Sequence, residues 1–136
     1  MKIVLDTNVL MSAIIRDSLT RELITKSEHR LYVPDEVFET LLKYRTLILK
    51  KTNANPDNLE SLIGRLSNYL EILPRKKFQP HMKKAKEAMK GIDLEDAVFV
   101  ACALSLPDSV IWSNDKHLKK QGLVKVYNTE EIARML

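Results

Sequence analysis

Residues 2–10 read KIVLDTNVL, and this stretch indicates which kind of sheet the chain forms. Three apolar residues at positions 3–5 end abruptly at Asp6, after which apolar residues recur at helical spacing. A short apolar run that passes directly into a helix is typical of a strand buried in a parallel sheet. The Asp6 carboxylate would then lie at the carboxyl end of that strand, where open parallel sheets bind their ligands.

The pattern recurs near the other end of the chain. Residues 110–112 are apolar, and Ser113, Asn114 and Asp115 follow them. Three more acidic candidates lie between these two segments: Glu39, Asp93 and Asp96.

In this order, four motifs resemble those of the PIN domain family. They are DTNVL at residues 6–10, a helical Glu39 after Val33-Pro34, D-x-x-D-A at residues 93–97 opening an apolar helix, and SNDK at residues 113–116. The resemblance spans residues 3–118, nearly the whole chain. Within the family, this compact form looks most like the VapC-type toxin nucleases.

Strands alternate with helices along the chain, which favours a parallel sheet covered on both faces. The strands are predicted at residues 3–5, 31–33, 70–73, 109–112 and 124–127. The helices include a pair around a break at residues 53–55, an amphipathic segment at 82–89, a buried one at 92–106 and a last one capped by Thr129. The resemblance implies one three-layer α/β/α domain over residues 1–136, with five parallel strands in the order 3-2-1-4-5.

Composition is consistent with this fold class. The 136 residues suit a single globular domain, and 45% of them are hydrophobic. No apolar stretch approaches the length that spans a bilayer, so we expect no membrane association and a cytoplasmic location. The single cysteine, Cys102, lies in an apolar run and is interpreted as a core residue.

The charge distribution favours a polyanionic ligand. The net charge is +4, because 22 basic residues outnumber 18 acidic ones. If the five candidate acids gather in one place, the remaining surface is strongly basic, which suits a nucleic acid held around a cation. An ordinary solvated lysine-rich surface would look the same.

Clustered carboxylates repel one another, and burial raises their pKa values unless a cation joins them. No motif offers paired Cys or His at metal-binding spacing, so oxygen ligands favour Mg²⁺ or Mn²⁺. Such an ion lowers the pKa of a bound water and polarises a phosphodiester.

The resemblance implies a role for each candidate. It makes Asp6, Glu39, Asp96 and Asp115 the catalytic acids. Asp6, Asp96 and Asp115 would be metal ligands, with Ser113 supporting them through hydrogen bonds. Glu36 competes with Glu39, but it lies in the first turn, where the helix dipole alone explains an acid.

Two supporting residues have alternative interpretations. Asn8 could orient Asp6 or hold a metal-bound water, and it could equally cap the helix that follows. Asp93 could be a metal ligand or the N-cap of the apolar helix.

Basic residues give a weaker indication of RNA contacts. Lys83, Lys84 and Lys86 lie in a basic segment at residues 75–90, and Lys116 follows Asp115. These lysines could bind phosphates through salt-sensitive contacts. They could also simply face water on the polar side of an amphipathic helix or turn.

The function implied by the resemblance is a Mg²⁺- or Mn²⁺-dependent endoribonuclease, the toxin of a toxin-antitoxin pair. Its partners would be an RNA substrate, a VapB-like antitoxin whose C-terminal segment enters the acidic groove, and a second copy in a homodimer. A PIN-like RNA-binding or assembly module that does not cut is the alternative. Phosphoryl transfer of the haloacid-dehalogenase kind needs an Asp where this chain has Asn8.

Overall fold

Strands alternate with helices in the computed structural model, which describes residues 1–15, 18–52 and 55–135. The strands are β1 (Lys2–Leu5), β2 (Arg30–Pro34), β3 (Leu70–Leu73), β4 (Ser109–Trp112) and β5 (Val126–Tyr127). The helices are α1 (Thr7–Ile15), α2 (Ser18–Lys26), α3 (Val37–Lys43), α4 (Arg45–Thr52), α5 (Pro56–Ser67), α6 (Arg75–Phe78), α7 (Met82–Met89), α8 (Ala97–Ser105) and α9 (Thr129–Met135).

The strands form one parallel sheet in the order β3-β2-β1-β4-β5, which confirms the predicted topology. In the central pair, Lys2 lies opposite Ser109 and Leu5 lies opposite Trp112. This register places the next residues, Asp6 and Ser113, side by side at the carboxyl end of the sheet.

Helices cover both faces of the sheet, because successive strand side chains point to opposite sides. Ile3 and Leu5 face a core formed with helices α1 to α5 and α9. Val4 and Ile111 face a second core formed with α6, α7 and α8. The three-layer α/β/α prediction is therefore confirmed.

Helix α8 is buried along almost its whole length, with the side chains of residues 97–103 inside the second core. Its small residues, such as Ala97 and Ala101, allow close packing on the sheet. Cys102 is fully buried there, as predicted, and burial raises the pKa of its thiol far above the usual range.

The predicted helix over residues 92–106 begins too early. Asp93 is extended, with φ −162° and ψ 106°, and its side chain accepts the Glu95 N–H at 3.1 Å. Side-chain bonds of this kind compete with the helical pattern. A 3₁₀ turn at Leu94–Asp96 follows, and the α-helix begins only at Ala97.

The fifth strand is shorter than predicted because Gln121 bonds to the backbone that would have extended it. Its Oε1 accepts the N–H groups of Leu123 and Val124, and its Nε2 donates to the Val124 carbonyl. These backbone groups are therefore not available to pair with β4. The pairing of β5 with β4 starts at Val126.

Local capping differs from the prediction at α9 and agrees with it at α5. Asn128 rather than Thr129 caps α9, since its Oδ1 accepts the Glu131 N–H at 2.8 Å. Asn55 caps α5 at the predicted break, whereas residues 53 and 54 lie outside the described residues. In the described ranges, no helix has the length and apolar character needed to cross a bilayer.

Candidate metal centre

Asp6 is a buried carboxylate held in place from two sides. It follows β1 directly and is 3% exposed. Its Oδ1 accepts the Val9 N–H at 2.8 Å, and the Ser113 hydroxyl donates to its Oδ2. Burial raises the pKa of Asp6, the two hydrogen bonds lower it, and the negative charge of Asp115 raises it further. The net shift of the Asp6 pKa is upward, so the ionised carboxylate is disfavoured unless a cation lies nearby.

Ser113 connects Asp6 to Asp115. While its hydroxyl donates to Asp6, its Oγ accepts the Asp115 N–H at 3.0 Å. Asp115 Oδ1 in turn accepts the His117 N–H at 2.8 Å and lies 3.4 Å from His117 Nδ1. The loop after β4 is thus fixed relative to the end of β1, and Ser113 occupies the supporting position that the sequence predicted.

Asp93 and Asp96, which directly precede α8, lie close to Asp115. One carboxylate oxygen from each of these three residues lies within 4.8 Å of the other two. Burial raises the pKa of Asp96 to about 7, and the charges of Asp93, Asp115 and Asp6 contribute to this shift. Asp93 caps the 3₁₀ turn that precedes α8, whereas the N-cap of α8 itself, predicted to be Asp93, is Asp96.

This donor set fits a divalent cation. Oxygens on opposite sides of an octahedral Mg²⁺ are about 4 Å apart, so the three carboxylates could reach a common ion with small movements. Carboxylate oxygens are the donors that Mg²⁺ and Mn²⁺ prefer. Asp6 lies beside this trio rather than within it. Its hydrogen-bonded oxygens each keep a lone pair for a metal or a metal-bound water.

The structure does not bring Glu39 to these carboxylates, contrary to the sequence prediction. Glu39 is exposed, whereas Glu36 and Thr40 line the groove that contains the acids. Residues four apart share a helix face, and Glu39 lies about 100° around the axis from Thr40. Arg75 Nη1 lies 3.7 Å from Glu36 Oε2 at the groove's edge. The sequence could have indicated which way α3 is turned, because its apolar residues Val37 and Leu41 mark the face that is buried in the core.

The groove has a volume of about 560 Å³. Besides the acids, it is lined by Asn8, which is exposed beside Asp6, and by Lys43 and Tyr44 from the α3–α4 junction. The sequence prediction did not include these last two residues. The predicted RNA-contacting residues do not line it: Lys83, Lys84, Lys86 and Lys116 are exposed to solvent outside the groove lining.

Three of these lysines lie on the outer side of α7. The inner side of that helix carries Met82, Ala85 and Met89, which are buried in the second core. This amphipathic arrangement explains the basic segment without a ligand.

Comparison with known families agrees with the fold. The sequence model described as PIN domain matches residues 4–136. The chain belongs to the PIN domain family. No curated protein sequence gives a significant match.

Several solved structures resemble this PIN domain. VapBC2 from Rickettsia felis, bound to a DNA fragment from its promoter, has a TM-score of 0.71 and 18% identity, over 94% of this chain and 98% of that chain. DNA-bound VapBC from Salmonella typhimurium has a TM-score of 0.74 and 17% identity, over 95% of this chain and 98% of that chain. VapBC-1 from nontypeable Haemophilus influenzae has a TM-score of 0.69 and 19% identity, over 96% of this chain and 99% of that chain. At these identities the likeness establishes the shared fold.

The charge cluster predicts that the metal-free protein loses stability as pH rises. Asp96 has a folded pKa of about 7 against an ordinary value of 3.8. Between these values the folded state retains a proton that the unfolded state has released, so the free energy of unfolding falls from about pH 4 to pH 7. Because the side chain is partly exposed, we expect about 1–2 kcal/mol. Asp6 acts in the same direction.

Urea unfolding in EDTA at several pH values measures this effect. Asp96→Asn should flatten the pH dependence and be more stable than the wild type at pH 7.5. Asp57→Asn is the matched control, because Asp57 is an exposed acid at the start of α5, outside the groove. A wild-type curve that rises steadily from pH 4 to pH 7.5 in EDTA would contradict the prediction.

Proposed function

We propose that this PIN domain is an endoribonuclease that depends on Mg²⁺ or Mn²⁺, with residues 1–136 forming one catalytic domain that acts in the cytoplasm. The observation that carries the proposal is the convergence of Asp93, Asp96 and Asp115 beside the buried Asp6. These acids meet at the point where β1 and β4 lead to opposite faces of the sheet, the preferred ligand crevice of such folds.

Asp96 and Asp115 would hold the ion, with Asp93 and Asp6 completing or orienting its shell. The ion would supply a water of lowered pKa and polarise the phosphodiester. Ser113 links the Asp6 carboxylate to the Asp115 backbone, since its hydroxyl donates to Asp6 Oδ2 and its Oγ accepts the Asp115 N–H. Asn8 offers an amide beside Asp6 that can bind a water or a phosphate oxygen. Hydrolysis would leave a 5′-phosphate and a 3′-hydroxyl.

Among the predicted RNA contacts, Lys116 has the better support, because it directly follows Asp115 in the loop beside the acids. Lys83, Lys84 and Lys86 would contact only a long RNA that also passes over α7. Glu36 replaces Glu39 as the proposed fourth acid, since Glu36, at the N-cap of α3, lines the groove and Glu39 does not.

Cleavage of end-labelled RNAs tests the nuclease proposal. The wild type should cut with Mg²⁺ or Mn²⁺ and not with EDTA, and Asp96→Asn should lose about 100-fold or more of the rate, because removing a ligand disrupts the ion. Asp57→Asn should cut like the wild type. Metal-independent cutting, or equal cutting by Asp96→Asn, would contradict the proposal. No cutting by the folded wild type would favour the non-cleaving RNA-binding or assembly module.

A matched pair of substitutions tests which glutamate serves the site. Glu36→Gln should reduce metal-dependent cleavage about tenfold or more, because its carboxylate borders the groove, while Glu39→Gln should change the rate less than twofold. Both variants remove one charge from the same helical region, so a general charge effect would alter them equally. The reverse order of effects would restore the prediction made from the sequence.

We also propose that a VapB-like antitoxin inhibits the protein, because the structural neighbours are VapBC complexes. The working unit that the toxin role implies is a homodimer. Induced expression of the wild type should arrest bacterial growth, and Asp96→Asn should not. Co-expression of a small protein encoded beside this chain should restore growth. Light scattering of the purified protein should give twice the chain mass of 15.7 kDa if the homodimer forms. Normal growth during expression of a cleavage-competent wild type would contradict the toxin role.

A further inference from the structure

The side of the groove formed by α3 and α4 differs chemically from the acidic side. It presents Lys43 and Tyr44 at the junction of the two helices and Leu47 one turn later. Tyr44 is 40% exposed and Leu47 is 43% exposed. Two partly exposed apolar side chains that line a groove together suit a ligand with a flat apolar face.

Tyr44 separates α3 from α4. It has φ −97° and ψ 10°, its N–H donates to the Thr40 carbonyl, and its own carbonyl accepts the Ile48 N–H. The residue therefore ends α3 and starts α4 with its backbone bonds satisfied. These bonds hold the Tyr44 backbone beside the groove, which the partly exposed side chain lines.

Lys43 is the one cation among the described residues that line the groove. A lysine that served only to neutralise the acids would pair with one of them, yet Lys43 forms no ion pair with a carboxylate of the described ranges. Its Nζ lies instead 5.7 Å from the centre of the Tyr44 ring. The ammonium thus remains available to an anion that enters the groove.

An aromatic ring and an adjacent ammonium are the two groups that proteins use to bind single-stranded nucleic acid. The ring stacks on a base and the ammonium binds a phosphate. Phe99 borders the groove but is 6% exposed, and Tyr69 lies with Arg21 and Arg65 in a separate cleft between α1, α2 and α5, which the acids do not line.

We propose that Tyr44 and Lys43 form a nucleotide subsite beside the metal centre. Tyr44 stacks on an unpaired base of the substrate, and Lys43 binds the phosphate adjacent to the one that is cleaved. The assignment rests on the proposed nuclease function and adds a substrate class, since a base inside a duplex is already stacked on both faces and cannot cover the ring.

Anisotropy of a labelled single-stranded RNA tests the subsite on the Asp96→Asn protein, which leaves the RNA intact. Tyr44→Ala should weaken binding about tenfold, within the range for one stacked base, while Tyr44→Phe should bind like the parent. Lys43→Met should weaken binding and reduce the slope of log affinity against log salt by about 0.7, as expected for one lost phosphate contact.

Matched controls come from the same side-chain types outside the groove. Tyr69→Ala and Lys50→Met remove an exposed tyrosine and an exposed lysine that do not line it, and both should bind within twofold of the parent. A duplex of the same sequence should bind more weakly and respond little to Tyr44→Ala. All substituted positions are exposed, and retained melting temperatures would show that the variants are folded.

Each result separates the two proposals. Wild-type cleavage together with unchanged RNA affinity in Tyr44→Ala and Lys43→Met would overturn the subsite alone. The predicted pattern in a protein that never cuts would support the subsite and overturn the nuclease. Equal losses in Tyr44→Phe and Tyr44→Ala, or a change of oligomeric state in Tyr44→Ala without a change in RNA affinity, would overturn the stacking role. Absence of single-stranded RNA binding by the parent would also overturn the subsite.

Discussion

The parallel pairing of β1 with β4 is the constraint on which the rest of the molecule depends. Its register aligns Leu5 with Trp112, so the residues that follow the two strands, Asp6 and Ser113, meet at the carboxyl end of the sheet. The same two strands are buried on both faces, and each helical layer packs against them. A shift of one residue would reverse the faces of the side chains and separate Asp6 from Ser113.

The cluster built on this edge opposes folding electrostatically. Burial and mutual repulsion raise the pKa values of Asp6 and Asp96, so the metal-free protein gives up stability at neutral pH to hold these carboxylates together. The structure offsets part of this cost with short-range bonds from Ser113 and from the Val9 N–H. A divalent cation would offset the remainder, which links binding of the ion to the stability of the fold.

Much of the fold was predictable because its signals are local and repeated. Apolar strands followed by turn residues located the five strands, and Pro56 marked the start of α5. The errors lie where a polar side chain bonds to nearby backbone. Asp93 delays α8, and Gln121 shortens β5. Periodicity describes the apolar face of a segment and carries no information about such bonds.

The sequence by itself determined the sheet order, the two strand-end positions of Asp6 and Asp115, and the presence of Asp96 at the start of a buried helix. These follow from patterns within single segments and from the resemblance to one family. Only the tertiary structure decided that Glu36 rather than Glu39 borders the groove and that Lys43 and Tyr44 face the acids. The rotation of a helix about its axis is fixed by packing against the core, and a difference of one residue turns a side chain by about 100°.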